Sequence, residues 1–125
     1  MKMLNKNQIL MLHSLLSEQS GGPEQIRDER LLDSAVSAPL QTFPNQELYP
    51  GLIQKAVRLG YGLICNHPFI DGNKRIGTHA MLVLLEINGI SLSYQDKDLI
   101  SVIFSVAAGT MNYGGLLNWV TQHID

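Results

Sequence analysis

The residues of this sequence that are best suited to chemistry lie in one short segment, from His67 to Gly77. The segment contains an imidazole, a carboxylate, an amide and two cations at the start of a strongly apolar predicted helix. The first turn of a helix attracts anions, because its N–H groups lack intrahelical partners and the helix dipole is positive there. Lys74 and Arg75 add positive charge, Asn73 offers a neutral donor, and Gly72 allows the backbone to approach a ligand closely. These residues predict a phosphate-binding helix start.

Two further residues extend this prediction from anion binding to catalysis. Asp71 beside a polyphosphate indicates Mg²⁺, which prefers oxygen ligands and bridges phosphates. His67 has the near-neutral pKa of a general base, so the segment predicts transfer chemistry on a nucleotide. Phe69, an aromatic residue between polar neighbours, is expected to anchor the loop in the core. The spacing alone is equally compatible with an ordinary turn that carries a hydrogen-bonded histidine.

The rest of the chain predicts the helices that position this segment. Apolar residues recur at helical spacing in six stretches, about 5–18, 28–38, 50–66, 73–88, 96–106 and 113–123. Asp28 and Asp96 are predicted N-caps, and Pro50 is predicted to lie in the first turn of the third helix. The fourth helix is apolar on every side between Ala80 and Leu85, which places it at the centre. Strand patterns are poor, so the sequence predicts an all-α bundle of about six helices in a single domain, residues 1–125.

Composition restricts the partners. The 125 residues are 45% apolar, and 9 basic against 11 acidic residues give a formal charge of −2, which is not typical of nucleic-acid binding. The longest apolar run, Ala80 to Leu85, is far shorter than the roughly 20 residues that span a bilayer. The one cysteine, Cys65, excludes an intrachain disulfide, and its apolar neighbours predict an inert buried thiol. Lys55 and Arg58 are expected on a solvated helix face. We therefore expect a cytoplasmic globular protein without a nucleic-acid or membrane partner.

The stretch from His67 to Arg75 resembles the motif of the Fic/Doc (Fido) family, His-x-Phe-x-Asp/Glu-Gly/Ala-Asn-Gly/Lys-Arg. The similarity also covers the chain length, the helix order and the opening from Gly21 to Ala35. This resemblance implies an all-α fold that uses ATP and Mg²⁺ to modify a hydroxyl group of a protein. By position, the resemblance implies that His67 is a general base and that Asp71 is a metal-binding acid. It also implies that Asn73 and Arg75 contact phosphate and that Phe69 is a core anchor.

Lys74 distinguishes between two reactions that the resemblance allows. Adenylylating members of the family have glycine at this position, whereas the Doc branch has lysine. The Doc branch implies a toxin that transfers the γ-phosphoryl group of ATP to a threonine of elongation factor Tu and halts translation. The runner-up is a Fic-type adenylyltransferase, and a catalytically silent module with the same fold is a second alternative. A third, a metallohydrolase using His67, Asp71 and His79, requires three converging ligands.

Two flanking segments bear on the partners. Residues 41–49 are predicted to form a loop or short hairpin, which corresponds by position to the family's flap. Its Phe43 and Tyr49 either contact the target protein or pack inward. The stretch from Ser14 resembles an inhibitory glutamate motif around Glu18, but Gln19 departs from the pattern. The resemblance therefore implies a separate antitoxin, whose amphipathic helix docks into an apolar groove beside the first two helices.

Overall fold

Six α-helices and one short 3₁₀ turn form the protein in a computed structural model that describes all 125 residues. The helices are α1 (Lys6–Ser20), α2 (Glu29–Ser37), α3 (Leu52–Asn66), α4 (Asn73–Ile87), α5 (Asp96–Ala107) and α6 (Tyr113–Gln122), and the 3₁₀ turn Ala38–Leu40 follows α2. There is no sheet; the only β-type pairings are three isolated bridges. The predicted all-α bundle is confirmed. None of the helices has both the length and the apolar character that crossing a membrane requires.

Helices α3 and α4 share the centre of the bundle: α4 contacts α1, α3 and α5, whereas α3 contacts α2, α4, α5, α6 and the 3₁₀ turn. The central position predicted for α4 is therefore only partly correct. The inward residues of α4, which are Ile76, Ala80, Met81, Leu84 and Leu85, are almost completely buried. Glycines bring α3 and α4 close together, since a Cβ placed on Gly77 would lie 2.8 Å from the carbonyl oxygen of Gly60. The tight crossing fixes the start of α4 relative to the end of α3, and the motif segment connects these two ends.

Two predicted helix starts are wrong by a small margin, and one is confirmed. Asp28 caps α2 by accepting hydrogen bonds from the second and third N–H groups of that helix. Pro50 lies before α3, because Gly51 is still extended and acts as the N-cap. Asp96 is not the cap of α5: Gln95 is extended there, and Asp96 lies in the first turn. An acidic residue in that turn still interacts favourably with the helix dipole, which explains why the pattern resembled a cap.

Residues 41–49 form a tight hairpin between α2 and α3, as predicted. Thr42 and Glu47 form an antiparallel bridge, and the N–H of Phe43 donates to the carbonyl of Gln46 at 2.7 Å. The two aromatic residues of this flap differ in their exposure. Phe43 is 74% exposed, whereas Tyr49 is half-buried against the edge of Tyr113.

The flap is tied to α3 by cations that were expected to be solvated. Lys55 is only 3% exposed, and its ammonium group donates to the carboxylate of Glu47 at 2.8 Å and to the carbonyl of Tyr49. Arg58 lies half-buried beside the rings of Tyr49 and Tyr61. The predicted solvated face is therefore wrong: long basic side chains can be buried where acceptors and aromatic rings surround the charge.

Candidate functional site

The motif segment begins where α3 ends at His67, which adopts a left-handed conformation with φ 50° and ψ 53°. Arg27, from the segment before α2, donates through Nε to the carbonyl of His67 at 2.7 Å and through Nη2 to the carbonyl of Asn66 at 3.0 Å. The last carbonyls of a helix have no intrahelical partners, so Arg27 satisfies them with its planar fork. This contact fixes the backbone that carries the imidazole.

A short antiparallel contact holds the rest of the loop. The carbonyl of Pro68 accepts hydrogen bonds from the N–H groups of Arg27 and Asp28 at 2.7 and 3.1 Å. Two residues further on, the N–H of Ile70 donates to the carbonyl of Gln25 at 3.1 Å. Backbone bonds of this kind give the loop a defined register without a sheet. The loop is therefore a rigid support for the side chains it carries.

The amide of Asn73 closes the loop from below. Its Oδ1 accepts from the N–H of Phe69 at 3.0 Å, and its Nδ2 donates to the carbonyl of Phe69 at 2.9 Å. The aromatic ring of Phe69 is 1% exposed and lies in the core, whereas Asn73 is 7% exposed. The structure therefore differs from the prediction that the Asn73 side chain contacts phosphate. Only the backbone N–H of this residue, in the first turn of α4, remains available to an anion.

His67 is exposed, and its Nδ1 lies 3.4 Å from Nδ2 of Asn73. An imidazole with a single, long polar contact stays accessible to a hydroxyl group that approaches from solvent. Nearby Cys65 is exposed, so the prediction of a buried thiol is wrong. Partial desolvation of its sulfur nevertheless raises the pKa of Cys65, which disfavours the thiolate form.

The carboxylate of Asp71 lies at the other end of the loop and is half exposed. Its Oδ2 is 3.6 Å from Nη2 of Arg75, one helical turn further along the chain. Gly22 packs closely against it, since a Cβ placed on Gly22 would lie 2.7 Å from Oδ2 of Asp71. This close approach gives a physical reason for one glycine of the Gly21-Gly22 pair.

The site offers a metal ion a single carboxylate, that of Asp71. No three histidine, cysteine or acidic side chains converge on a point where they could hold a metal ion. The metallohydrolase that would use His67, Asp71 and His79 is therefore contradicted. A single exposed carboxylate still fits Mg²⁺, which is commonly held by one or two carboxylates together with phosphate oxygens and water.

The start of α4 offers unpaired backbone donors. Gly72 precedes the helix in the left-handed region with φ 81°, and no side chain caps the helix. The first N–H with a partner in this turn is that of Ile76, which donates to the carbonyl of Gly72 at 2.9 Å. The N–H groups of Asn73, Lys74 and Arg75 precede it and stay free for an anion.

The side chain of Lys74 does not lie over this helix start. Its ammonium group lies 5.3 Å from the centre of the Phe104 ring on α5. The sequence predicted that this lysine would add its positive charge at the phosphate-binding helix start. The structure instead places the charge beside an aromatic face, which attracts cations.

An apolar groove of about 500 Å³ runs between α1, α4 and α5, beside the cations Lys74 and Arg75. Its lining residues are Leu16, Lys74, Arg75, Thr78, His79, Leu82, Leu99, Ile100, Ile103 and Phe104. Ile100 and Phe104 are 55% and 58% exposed. The docking of an antitoxin beside the first two helices stays a prediction. A smaller cavity of about 360 Å³ does lie between α1 and α2, but no motif residue lines it.

Two residues flank the site from α1. Glu18 is exposed and forms no hydrogen bond or ion pair, so its carboxylate does not contact Arg75. His13, in contrast, is 2% exposed and touches the motif loop, although no spacing in the sequence relates it to that loop. Only the fold brings it to the site, across 58 residues of chain.

The architecture defines a class of protein: a helical bundle in which a histidine-terminated helix and a rigid loop lead into an uncapped, cationic helix start. The model of the Fic/DOC family matches residues 3–85, more than half of the chain, and the chain belongs to this family. It is 42% identical over 73 residues to the toxin Doc of Mycolicibacterium smegmatis. The match covers 58% of this chain and 56% of that protein, so the chain spans about half the length of the curated relative it matches.

Proposed function

We propose that this protein is a toxin of the Doc type, which transfers the γ-phosphoryl group of ATP to a hydroxyl group of another protein. The observation that carries the proposal is the helix start of α4. There three free N–H groups lie beside the Arg75 guanidinium and the Asp71 carboxylate, and the exposed imidazole of His67 stands on the same loop. Family membership and the likeness to toxin Doc support this function.

Each group has a role in this reaction. The free N–H groups and Arg75 bind the polyphosphate, since aligned donors and a guanidinium fork suit phosphate oxygens. Asp71 would hold Mg²⁺, which when bound neutralises charge on the phosphates. His67 accepts the proton of the attacking hydroxyl group. The hydroxyl oxygen then forms a bond to the γ-phosphorus, the bond from that phosphorus to ADP breaks, and ADP leaves.

The orientation of Lys74 is also compatible with a second candidate, adenylyl transfer. Because its ammonium group lies beside Phe104, the lysine leaves the first turn of α4 open, as a glycine would. The residue type, lysine, supports a Doc-type kinase. The position of its side chain is compatible with a nucleotide that presents either its α- or its γ-phosphorus to the hydroxyl group. The two reactions therefore differ in which phosphorus faces the hydroxyl group, and an experiment must read that directly.

The flap, which is held against the start of α3, is the surface that we assign to the target protein. Phe43 is 74% exposed at its tip, and the ion pair of the buried Lys55 with the half-exposed Glu47 anchors its base to α3. An exposed aromatic residue on a firmly held hairpin is an effective anchor for a partner chain. We propose a threonine of elongation factor Tu as the modified residue and the reducing cytoplasm as the location.

The groove between α1, α4 and α5 suits an antitoxin helix. Exposed Ile100 and Phe104 would be covered by its apolar face. Lys74, Arg75 and His79 lie at the motif end of the groove and favour an acidic residue on the partner. His79 and Leu82 also line a second cavity of about 210 Å³ along α4.

A label-transfer experiment tests the reaction. A translation extract is incubated with the protein and with ATP labelled at either the α or the γ position, and the intact mass of modified proteins is measured. Phosphoryl transfer retains only the γ label and adds about 80 Da, whereas adenylyl transfer retains the α label and adds about 329 Da. The control is His67→Ala, which should bind ATP and stop transfer. Transfer that survives this substitution refutes the assignment of the base, and ATP-independent partner binding without transfer indicates the silent module.

A further inference from the structure

His13 is a buried histidine on α1 that contacts the motif loop in two ways. Its ring stacks on Phe69, with centroids 3.6 Å apart and planes 8° from parallel. Its Nε2 lies 2.8 Å from the carbonyl oxygen of Asp71. A carbonyl oxygen can only accept, so Nε2 carries the proton and donates. The side chain therefore contacts the loop both at its core anchor and at the carbonyl of its acidic residue.

The hydrogen bond falls at the peptide that links Asp71 to Gly72. Gly72 precedes α4 in the left-handed conformation, and a Cβ placed on it would lie 3.4 Å from Nε2 of His13. The orientation of this peptide sets both the direction of the Asp71 carboxylate and the direction of the first N–H groups of α4. A buried donor at this point therefore restrains both ligand-binding elements of the site at once.

We propose that His13 is a positioning residue for the binding of magnesium and nucleotide at the start of α4. Its Nε2–H holds the carbonyl of Asp71, so that the carboxylate faces the polyphosphate. This inference rests on the proposed function, to which it adds a residue that does not itself touch the nucleotide. It differs from a purely packing role, in which the stacked ring would matter and the proton on Nε2 would not.

Two substitutions separate these roles. His13→Phe keeps a flat ring against Phe69 but removes the donor. His13→Gln removes the ring but keeps an amide N–H at about the distance of Nε2 from the backbone. We expect the phenylalanine variant to bind Mg²⁺–ATP about tenfold more weakly, since the carbonyl of Asp71 loses its buried donor. The glutamine variant should stay within about threefold of the wild type.

Isothermal titration calorimetry on the full chain measures the affinity for ATP twice, once with Mg²⁺ present and once with a chelator that removes Mg²⁺. The gain in affinity from Mg²⁺ should shrink in the phenylalanine variant and persist in the glutamine variant. Equal losses in both variants, or wild-type affinity in both, would overturn the proposal. If the phenylalanine variant does not fold, the glutamine variant decides, because loss of its magnesium-dependent gain also contradicts the proposal.

Hydrogen exchange of nucleotide-free protein gives a readout that is independent of the proposed function. The amide protons of Phe69 and Ile76 are bonded to Asn73 and Gly72, respectively, and should exchange faster in the phenylalanine variant only. Those of α6 should not change. If the wild type fails to bind ATP, the proposed function falls while this comparison still decides the role of His13. Unchanged exchange at Phe69 and Ile76 in the phenylalanine variant refutes the positioning role of His13.

Discussion

Replacing Asn73 with alanine tests whether its amide supports the loop or contacts the ligand. The substitution leaves the N–H and the carbonyl of Phe69 without partners, and both now bond to the amide at 3.0 and 2.9 Å. The residue is 7% exposed, so little water can replace these bonds directly. A buried polar group left unpaired costs about 1–3 kcal/mol, and we expect a total loss of about 2–4 kcal/mol. That is a large part of a typical stability of about 5–15 kcal/mol.

Urea denaturation followed by circular dichroism measures this loss. With a slope of about 1.5 kcal/mol per molar urea, the midpoint should fall by about 1.3–2.7 M in Asn73→Ala. A matched control is Asn118→Ala on α6, where an exposed side chain without a hydrogen bond should change the stability by no more than about 0.5 kcal/mol. If Asn73→Ala unfolds at the wild-type midpoint but binds ATP weakly, the side chain is a phosphate ligand and the reasoning is refuted.

Three further predictions concern the scaffold. Gly77→Ala should cost about 1–3 kcal/mol, since its Cβ would lie 2.8 Å from the carbonyl of Gly60, and an unchanged melting temperature would contradict the tight crossing. Arg27→Lys should cost about 1–2 kcal/mol in urea denaturation, because an ammonium group cannot serve both carbonyls at the end of α3; wild-type stability would show that the fork is dispensable. Burial raises the pKa of Tyr113 from 10.0 to about 12, so its stabilising contribution is complete below pH 10 and is lost as the pH rises toward 12. The ring is only partly buried, which limits this loss of stability to about 1 kcal/mol. The wild type should therefore lose stability between pH 9 and 11.5, as measured by its urea midpoint, and Tyr113→Phe should not show this part of the loss.

The sequence predicted the helices well because their determinants are local. Apolar spacing and the cap at Asp28 each act within a few residues. The start of α3 was predicted too early because Pro50 suits a first turn, whereas the chain remains extended at Gly51 to complete the flap. Burial of Lys55 was also unpredictable, since its partners come from a hairpin whose course depends on the whole fold.

Like the fold, the candidate site contains some residues that the local sequence predicts and others that only the folded chain brings there. The motif residues are neighbours in the chain, so their types and order alone are enough to suggest phosphate chemistry. His13 and Arg27 lie 58 and 40 residues from the groups they hold, and no local pattern connects them to the loop. The sequence also gives the type of a side chain without its partner, which explains why Asn73 was expected at the ligand and lies in the loop.

Lys74 shows most clearly why residue type alone does not decide the reaction. The family pattern relates this lysine to the nucleotide, yet its ammonium group lies beside Phe104 at the motif end of the groove. Arg75 therefore stands between two surfaces, the uncapped helix start and the apolar groove, whereas the ammonium group of Lys74 lies on the groove side. In the proposed function, an acidic antitoxin helix in the groove and a polyphosphate at the helix start would both be attracted to Arg75. Since each ligand would weaken the other's electrostatic attraction, inhibition by the antitoxin would follow from shared charge without any change of fold.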